Sequence, residues 1–487
     1  MPRPGRWTTL SAMRRSKLVC TLGPASSSPE TVRALVDAGM DVARINFSHG
    51  TRSDHERGLR QVRAAAEEAG RTVAALADLS GPKVRLGALA GGEIHLKPGS
   101  VFVLRPDNGR PGDESGAGTN HPGLARDLRP GDPVLLADGA VELVVREVGE
   151  AVVTEVVKAI RGGRVSNRAG VNIPAKRLSL PPITEKDRTD LKDALELGFD
   201  LVAQSFVRSA ADVTALRDLM AERRVPIVAK IENRAAVEDA AAIARTADAA
   251  MVARGDLGVE IPLEQIPVVQ KELIRTCRAA GAPTVVATQM FESMLTSARP
   301  TRAEVSDAAN AVLDGADAVL LSGETAIGQY PAEAASTAVL VAETAERKGR
   351  TFRLSPPESS LRSEGQAIAR AACRVVGGAI DVAAIACFTR TGRTATLIAA
   401  ERPDVPVYAF ASNPSLVRAL AAVWGVSPLL AETPADVDSM IAMMDRRLSD
   451  DRLVGHGRTV VMVGAAPVGR AHTNLLKVHQ LGSPGVR

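Results

Sequence analysis

The sequence predicts an α/β protein built on a (β/α)8 barrel, with a small β domain inserted into one loop and a second α/β domain after it. Three observations lead there. Short apolar runs of strand length alternate with amphipathic helical stretches about eight times between positions 18 and 347. Between 87 and 167 that rhythm gives way to Gly/Pro-rich turns and short Val-rich strands. After a Pro/Ser-rich break at 354–360, strand–helix alternation resumes.

Taken in order, positions 1–12 carry Pro, Gly and Arg without an apolar centre, which argues against a signal peptide. They read as a disordered extension, or as the result of an upstream start codon before Met13. Barrel strands are expected at 18–20, 42–45, 73–77, 201–204, 227–231, 250–253, 284–287 and 318–321. Helical patterns lie between most of them, for example at 29–38, 53–69, 185–197, 263–280 and 302–313. Ser26-Ser-Ser28 before Pro29 reads as an N-cap. The barrel therefore occupies 13–86 and 168–347, and the insertion 87–167 sits on a βα loop, the face where barrel active sites lie. The domain at 361–487 has strands near 382–387, 407–410 and 459–463.

Composition narrows the function. With 487 residues the chain has room for roughly three domains and a large core. Aromatics are 2% of residues, so Ala, Val, Leu and Ile must fill that core. A net charge of +4 without a long basic block argues against nucleic acid. No apolar run approaches the ~20 residues of a membrane span. Cys20, Cys277, Cys373 and Cys387 lack metal-ligand spacing and read as reduced core residues of a cytoplasmic protein.

The chemistry concentrates at strand ends. In Val228-Ala-Lys-Ile-Glu-Asn233 an ammonium and a carboxylate stand two residues apart at the end of a buried strand, so they share a face. Met251-Val-Ala-Arg-Gly-Asp-Leu-Gly258 ends another strand with a second carboxylate. Lys230, Glu232 and Asp256 together suit a divalent metal and an anionic substrate. A buried salt bridge accounts for the same residues. Arg44 and Arg85 end the second and third strand regions, where surface ion pairs are their simplest reading. Thr288 has a turn reading beside its functional one. His49 and His55 read as helix-start and surface residues. There is no Gly-x4-Gly-Lys-Ser/Thr loop, which excludes P-loop kinase chemistry. Phe388-Thr-Arg-Thr-Gly-Arg-Thr-Ala395 places hydroxyls, glycine and arginine at a strand-to-helix turn, suited to a phosphate or to a simple helix cap.

Along nearly its whole length the chain resembles the pyruvate kinase family. The motifs are Cys20-Thr-Leu-Gly-Pro-Ala25, Ala38-Gly-Met-Asp-Val-Ala-Arg-Ile-Asn-Phe-Ser-His-Gly50 and Leu79-Ser-Gly-Pro-Lys-Val-Arg85, together with the two strand-end motifs above. Ala287-Thr-Gln-Met-Phe-Glu-Ser-Met294 and Leu321-Ser-Gly-Glu-Thr-Ala326 complete the set. The resemblance implies a catalytic barrel, a lid and a regulatory domain, and Mg²⁺-dependent (or Mn²⁺-dependent) transfer of the phosphoryl group of phosphoenolpyruvate to ADP, giving pyruvate and ATP in glycolysis. It implies Glu232 and Asp256 as metal ligands, Lys230 facing the moving phosphoryl group, and Arg44 and Arg85 on the phosphate. Gly255, Asp256 and Thr288 would take the substrate carboxylate. A water near Thr288, helped by Ser322 and Glu324, would protonate the enolate. ADP would lie against Asn46, Phe47, Ser48, His49 and Arg85. The family's Lys-Gly-Val-Asn-Leu-Pro stretch reads Ala169-Gly-Val-Asn-Ile-Pro174 here, which removes one lysine contact to nucleotide beside Arg168. The loop with Thr389, Thr391, Gly392, Arg393 and Thr394 would hold the phosphate of an allosteric effector, in a homotetramer.

One departure bears on a monovalent cation. Family members that need K⁺ read Asp-Thr-Lys-Gly-Pro-Glu, whereas this chain reads Asp78-Leu-Ser-Gly-Pro-Lys83. The Lys83 ammonium is expected to make K⁺ unnecessary, while Asn46, Ser48 and Asp78 match the usual ligands of a weakly held cation. Two other classes are consistent with parts of the pattern. One is a barrel enzyme that cleaves a C–C bond, which would lack the insertion and the C-terminal loop; the other is a non-catalytic sensor, which would lack Lys230, Glu232 or Asp256.

Overall fold

The computed structural model describes residues 14–174, 177–220, 223–349, 363–468 and 472–483. The expected extension at 1–12 and the linker at 354–360 lie outside the described residues. Eight parallel strands close a barrel: β1 (Lys17–Leu22), β2 (Val42–Asn46), β3 (Ala74–Asp78), β4 (Leu201–Gln204), β5 (Ile227–Ile231), β6 (Ala249–Ala253), β7 (Thr284–Ala287) and β8 (Ala318–Leu321). Each pairs with its sequence neighbours, and β1 pairs with β8 to close the ring.

Local chemistry sets the helix limits. Ser28 caps the helix Pro29–Ala38 through its hydroxyl, which accepts from the Thr31 N–H. Thr51 with Asp54, Thr184 with Asp187 and Thr301 with Glu304 form capping boxes that open Arg52–Glu68, Glu185–Leu197 and Arg302–Asp314. His55, expected at the surface, is instead buried in the second of these helices with its ring 3.9 Å from that of Phe47. The period-3.6 pattern places it on the inward face, next to Leu59 and Val62.

At the bottom of the barrel a feature repeats four times. Asp41, Asp200, Asp248 and Asp317 each immediately precede an even-numbered strand. Each backbone N–H donates to the carbonyl of the preceding odd-numbered strand, at Leu18, Ala75, Ile227 and Thr284. Each carboxylate then accepts the N–H of that same residue, at 2.8–2.9 Å. The strand ends are thereby satisfied without water. Three of the four follow a helix that ends on a left-handed glycine, in Gly39-Met-Asp41, Gly198-Phe-Asp200 and Gly315-Ala-Asp317.

The insertion forms a six-stranded, mostly antiparallel sheet and a two-stranded one around Phe102, Leu104, Val134 and Leu143. Its last strand, Val171–Asn172, lies beyond 167, because two residues are too few for periodicity to mark. The third unit is a five-stranded sheet of β9 (Val382–Phe388), β10 (Val407–Ala411), β11 (Val426–Leu430), β12 (Thr459–Gly464) and β13 (Leu475–Gln480), in the order 11-10-9-12-13. It docks on the barrel bottom. Arg402 pairs with Asp317, Arg418 with Asp200, and Lys17 Nζ donates to the Val426 carbonyl. Ala419 joins the apolar cluster that fills the barrel interior. Gly281, at the end of the barrel helix Ile266–Ala280, leaves room for Leu397 where a Cβ would come within 2.6 Å. Among the described residues no helix is long and apolar enough to cross a membrane. Burial pushes the Cys277 and Cys387 thiols up to about 12, consistent with inert core residues.

The carboxylate of Asp200 is fully buried and shared by Arg63, Arg418 and the Ala75 N–H. Asp200→Ala should cost about 3–5 kcal/mol, since it strands two guanidinium groups. Asp248, with its side chain 41% exposed and paired to Arg217, should cost only about 1 kcal/mol. Urea midpoints of the two variants test that order, and equal midpoints would refute it.

Candidate active site

Strand alternation builds the site. The interior of the barrel is apolar in its lower layers, with Val42, Leu76, Leu201 and Val228 among the residues that fill it. Two residues further along the same strands, the same face carries Arg44, Asp78 and Lys230, and Ser205 follows just after β4. The upper end is therefore charged where the lower end is oily.

Lys230 Nζ lies 3.0 Å from Glu232 Oε1 and 3.4 Å from Asp78 Oδ1, and donates to Ser205 Oγ at 2.8 Å. Arg44 donates from Nε to Asp78 Oδ2 at 2.6 Å and from Nη1 to Thr21 Oγ1 at 2.8 Å. Glu232 Oε2 accepts the Phe206 N–H at 2.7 Å. The side chains of Asp78 and Glu232 are 1% exposed, so charge balance governs this cluster. Burial works to raise the Asp78 carboxyl, but Lys230 and Arg44 outweigh it and hold it below the usual range. Burial works to lower the Lys230 ammonium, and Asp78 with Glu232 overcome that and raise it. For Glu232 burial wins, aided by repulsion from Asp256, and its carboxyl is raised despite Lys230.

Asp256 lies in the first turn of the helix Arg254–Glu260 that follows β6. Its Oδ1 is 3.1 Å from Lys83 Nζ, and that ammonium sits 5.7 Å from the centre of the Phe206 ring. Lys83 thus turns into the mouth and not to solvent. Gly81, in a left-handed turn, lets this loop cross Ser205 and Phe206 where a Cβ would come within 2.9 Å. The Gly255 N–H donates to Thr288 Oγ1 at 2.8 Å, and that hydroxyl donates to the Ala287 carbonyl. Thr288 and Gln289 are left-handed, at φ 68° and 56°, and so is Phe206, at 55°. Non-glycine residues rarely adopt this conformation, and strain of this kind gathers at functional sites.

Other expected residues fall differently. Arg85 lies well past the end of β3, at an exposed position bridged to Gly170, and its Nη1 donates to the Arg168 carbonyl. It belongs to the connection into the insertion and is not gathered into the Lys230 cluster; the chain leaves the barrel at this point, which strand periodicity does not register. Asn46 Oδ1 accepts the Ser48 N–H, Ser48 Oγ donates to Ser80, and the His49 carbonyl accepts from His55 Nε2. The Phe47 side chain is 1% exposed and packs on Phe199 and His55. It faces the core, so only its backbone borders the mouth. Glu324 is buried, and its two oxygens accept the N–H groups of Phe291 and Ser322, so both bind loop backbone.

Asp78, expected only as a ligand of a weakly held cation, is the shared counter-ion of Arg44 and Lys230. The signal was the alternation itself, which puts all three on the inner face. Ser205 was missed because it stands just past its strand.

The carboxylates fit a hard divalent cation. Glu232 and Asp256 supply oxygen from adjacent strand ends, and among the described residues no group of three His, Cys, Asp or Glu forms a complete cage. Mg²⁺ binds in this manner, through one or two carboxylates with waters and substrate phosphate completing its shell.

In the C-terminal domain, a cavity of about 260 Å³ is lined by Thr389, Arg390, Thr391, Thr394, His472 and Thr473. Gly392 caps the helix Arg393–Ala400, and its N–H donates to Thr389 Oγ1. Arg393 borders the same cavity but sends its guanidinium to the barrel, donating to the carbonyls of Gly281 and Ala280 at 3.0 and 2.8 Å.

Comparison with known proteins adds to this geometry. Residues 13–335 match the family model described as pyruvate kinase, barrel domain, and residues 366–479 match pyruvate kinase, alpha/beta domain. The chain is 43% identical over 477 residues to a pyruvate kinase of Mycobacterium tuberculosis, covering 97% of this chain and 100% of the relative. It is 43% identical over 473 residues to one of Corynebacterium glutamicum, covering 96% and 98%. A crystal structure of a pyruvate kinase from Cryptosporidium parvum superposes with a TM-score of 0.85 at 34% identity, covering 96% of each chain.

Proposed function

The chain belongs to the pyruvate kinase family, and from that premise we propose how its own residues carry the reaction. That reaction is phosphoryl transfer from phosphoenolpyruvate to ADP, which gives pyruvate and ATP in glycolysis. The observation that carries the assignment of roles is the buried Lys230 ammonium at the C-terminal mouth, flanked by Asp78 and Glu232.

Phosphoryl transfer requires positioned positive charge more than covalent help. Lys230, kept protonated by its two carboxylates, supplies a fixed cation where charge shifts in the transition state. Arg44, oriented by Asp78 and Thr21, holds the substrate phosphate beside it. Gly255, Asp256 and Thr288 take the substrate carboxylate, with Ser322 following the neighbouring strand β8. Asn46, Ser48, His49 and Arg85 face the nucleotide between barrel and insertion. Glu232 and Asp256 would hold Mg²⁺, which when bound neutralises charge on the phosphoryl oxygens.

The Lys83–Asp256 pair supports a further reading: Lys83 supplies the positive charge for which other members use K⁺, so K⁺ is not required. The C-terminal cavity supports binding of a phosphorylated effector by Thr389, Thr391, Gly392 and Thr394. Arg393, seated on the end of a barrel helix, would carry the response, in a cytoplasmic homotetramer.

Pyruvate formation from phosphoenolpyruvate should require both ADP and Mg²⁺. Lys230→Met should lower kcat by at least about 10²-fold with little change in KM. Near-normal kcat in that variant would remove Lys230 from the mechanism. In K⁺-free buffer the wild type should be active, while Lys83→Glu should acquire K⁺ dependence; a wild type that rises manyfold with K⁺ would refute this reading. Sugar phosphates and nucleotides should activate the wild type, and Arg393→Ala should bind them yet respond weakly. A panel without effect on the wild type would sink the regulatory claim.

A further inference from the structure

Arg254 stands beside the site without touching the Lys230 cluster, and its contacts converge on one strained turn. Its guanidinium is anchored by Asp307 of the helix Arg302–Asp314, with Nη1 at 2.8 and 2.7 Å from the two carboxylate oxygens. Nη2 donates to the Thr288 carbonyl at 2.7 Å and, more weakly, to the Gln289 carbonyl at 3.4 Å. Nε reaches the Ala287 carbonyl at 3.4 Å. Three consecutive carbonyls at the end of β7 thus face one planar fork, a geometry that arginine offers and lysine does not. The arginine side chain is 9% exposed, so its charge depends on Asp307 for balance.

These carbonyls belong to the turn in which Thr288 and Gln289 are both left-handed. Neither is a glycine, and Thr288 is β-branched, so the turn persists only because its surroundings hold it. The residue after Arg254 grips the other side: the Gly255 N–H donates to Thr288 Oγ1. One dipeptide therefore fixes the Thr288 carbonyl through a side chain and the Thr288 hydroxyl through the backbone. The hydroxyl accepts from Gly255 and donates to Ala287, which fixes the position of its oxygen.

We propose that Arg254, anchored on Asp307, is a positioning residue that sets the left-handed Thr288 turn and thereby places the Thr288 hydroxyl at the mouth, where it exchanges its bond to Ala287 for one to the substrate carboxylate. This rests on the reading of Thr288 as a substrate-contacting residue. Arg254 itself touches no reacting atom. Its effect passes through Thr288, so it belongs to the chemical step and substrate placement and not to nucleotide binding. A displacement on the order of 1 Å in such a group is enough for a rate loss near 10²-fold.

A double-mutant cycle tests this on the full-length protein. Arg254→Lys, which keeps the charge and loses the fork, should lower kcat by about 10–100-fold while the KM for ADP stays within about twofold. Thr288→Ala should also be slow. The double variant should be no more than about twofold slower than Thr288→Ala alone, since a residue acting through another is non-additive with it. Wild-type kcat in Arg254→Lys, or losses that multiply in the double variant, would overturn the inference. Should Thr288→Ala keep full activity, the reading of Thr288 fails first, and that result is distinct from the other two. If Arg254→Lys does not fold, as judged by circular dichroism, Asp307→Asn takes its place in the cycle with the same criteria.

Discussion

A lysine ammonium buried at the end of a barrel strand has to be neutralised, and much of the upper barrel follows from that requirement. Removing an ion from water costs several kcal/mol even after relaxation. Lys230 is tolerated because Asp78 and Glu232 flank it and Ser205 accepts its third bond. Asp78 then attracts Arg44, and Thr21 orients the far side of that guanidinium. The result is two cations and two carboxylates balanced on the inner face, with Lys83 and Asp256 as a further pair beside them. Such a cluster contributes little net stability, but it holds positive charge in place before any substrate arrives.

The two ends of the barrel solve opposite problems. At the bottom, four aspartates close the strand ends with reciprocal bonds, and the C-terminal domain borrows two of them through Arg402 and Arg418. Those two carboxylates, of Asp317 and Asp200, are satisfied and buried, as befits a rigid base and a docking surface. At the top, Phe206, Thr288 and Gln289 are held in left-handed conformations, and Glu324 and Arg254 spend their polar atoms on loop backbone. Strain is stored where chemistry needs exact aim and is supported from the better-packed layers below.

The junction with the C-terminal domain links these ends. Arg393 leaves the loop that carries the threonines and seats itself on the carbonyl end of Ile266–Ala280. Positive charge is favourable there, because carbonyls at a helix end carry partial negative charge. That helix runs antiparallel to the strands, since it connects the top of β6 to the bottom of β7. A change in the loop 389–394 therefore has a direct physical route into the barrel.

Much was legible from sequence because period and spacing obey local rules. Strand β4, β5, β7 and β8 limits and the helices 29–38 and 185–197 follow from apolar rhythm and capping residues. The pairing of Lys230 with Glu232 follows from a two-residue spacing on a strand. The fold was legible at that level, and the family was legible from the motifs that carry the resemblance. What periodicity does not encode is which side chain meets which across the ring. That Asp78 serves Arg44 and Lys230, that Arg85 stays with the insertion, that Phe47 and His55 stack in the core and that Arg393 turns to the barrel were decided by tertiary packing. Each depends on atoms brought together from distant positions in the chain, and on the need to satisfy a buried charge or carbonyl that exists only once the barrel has closed.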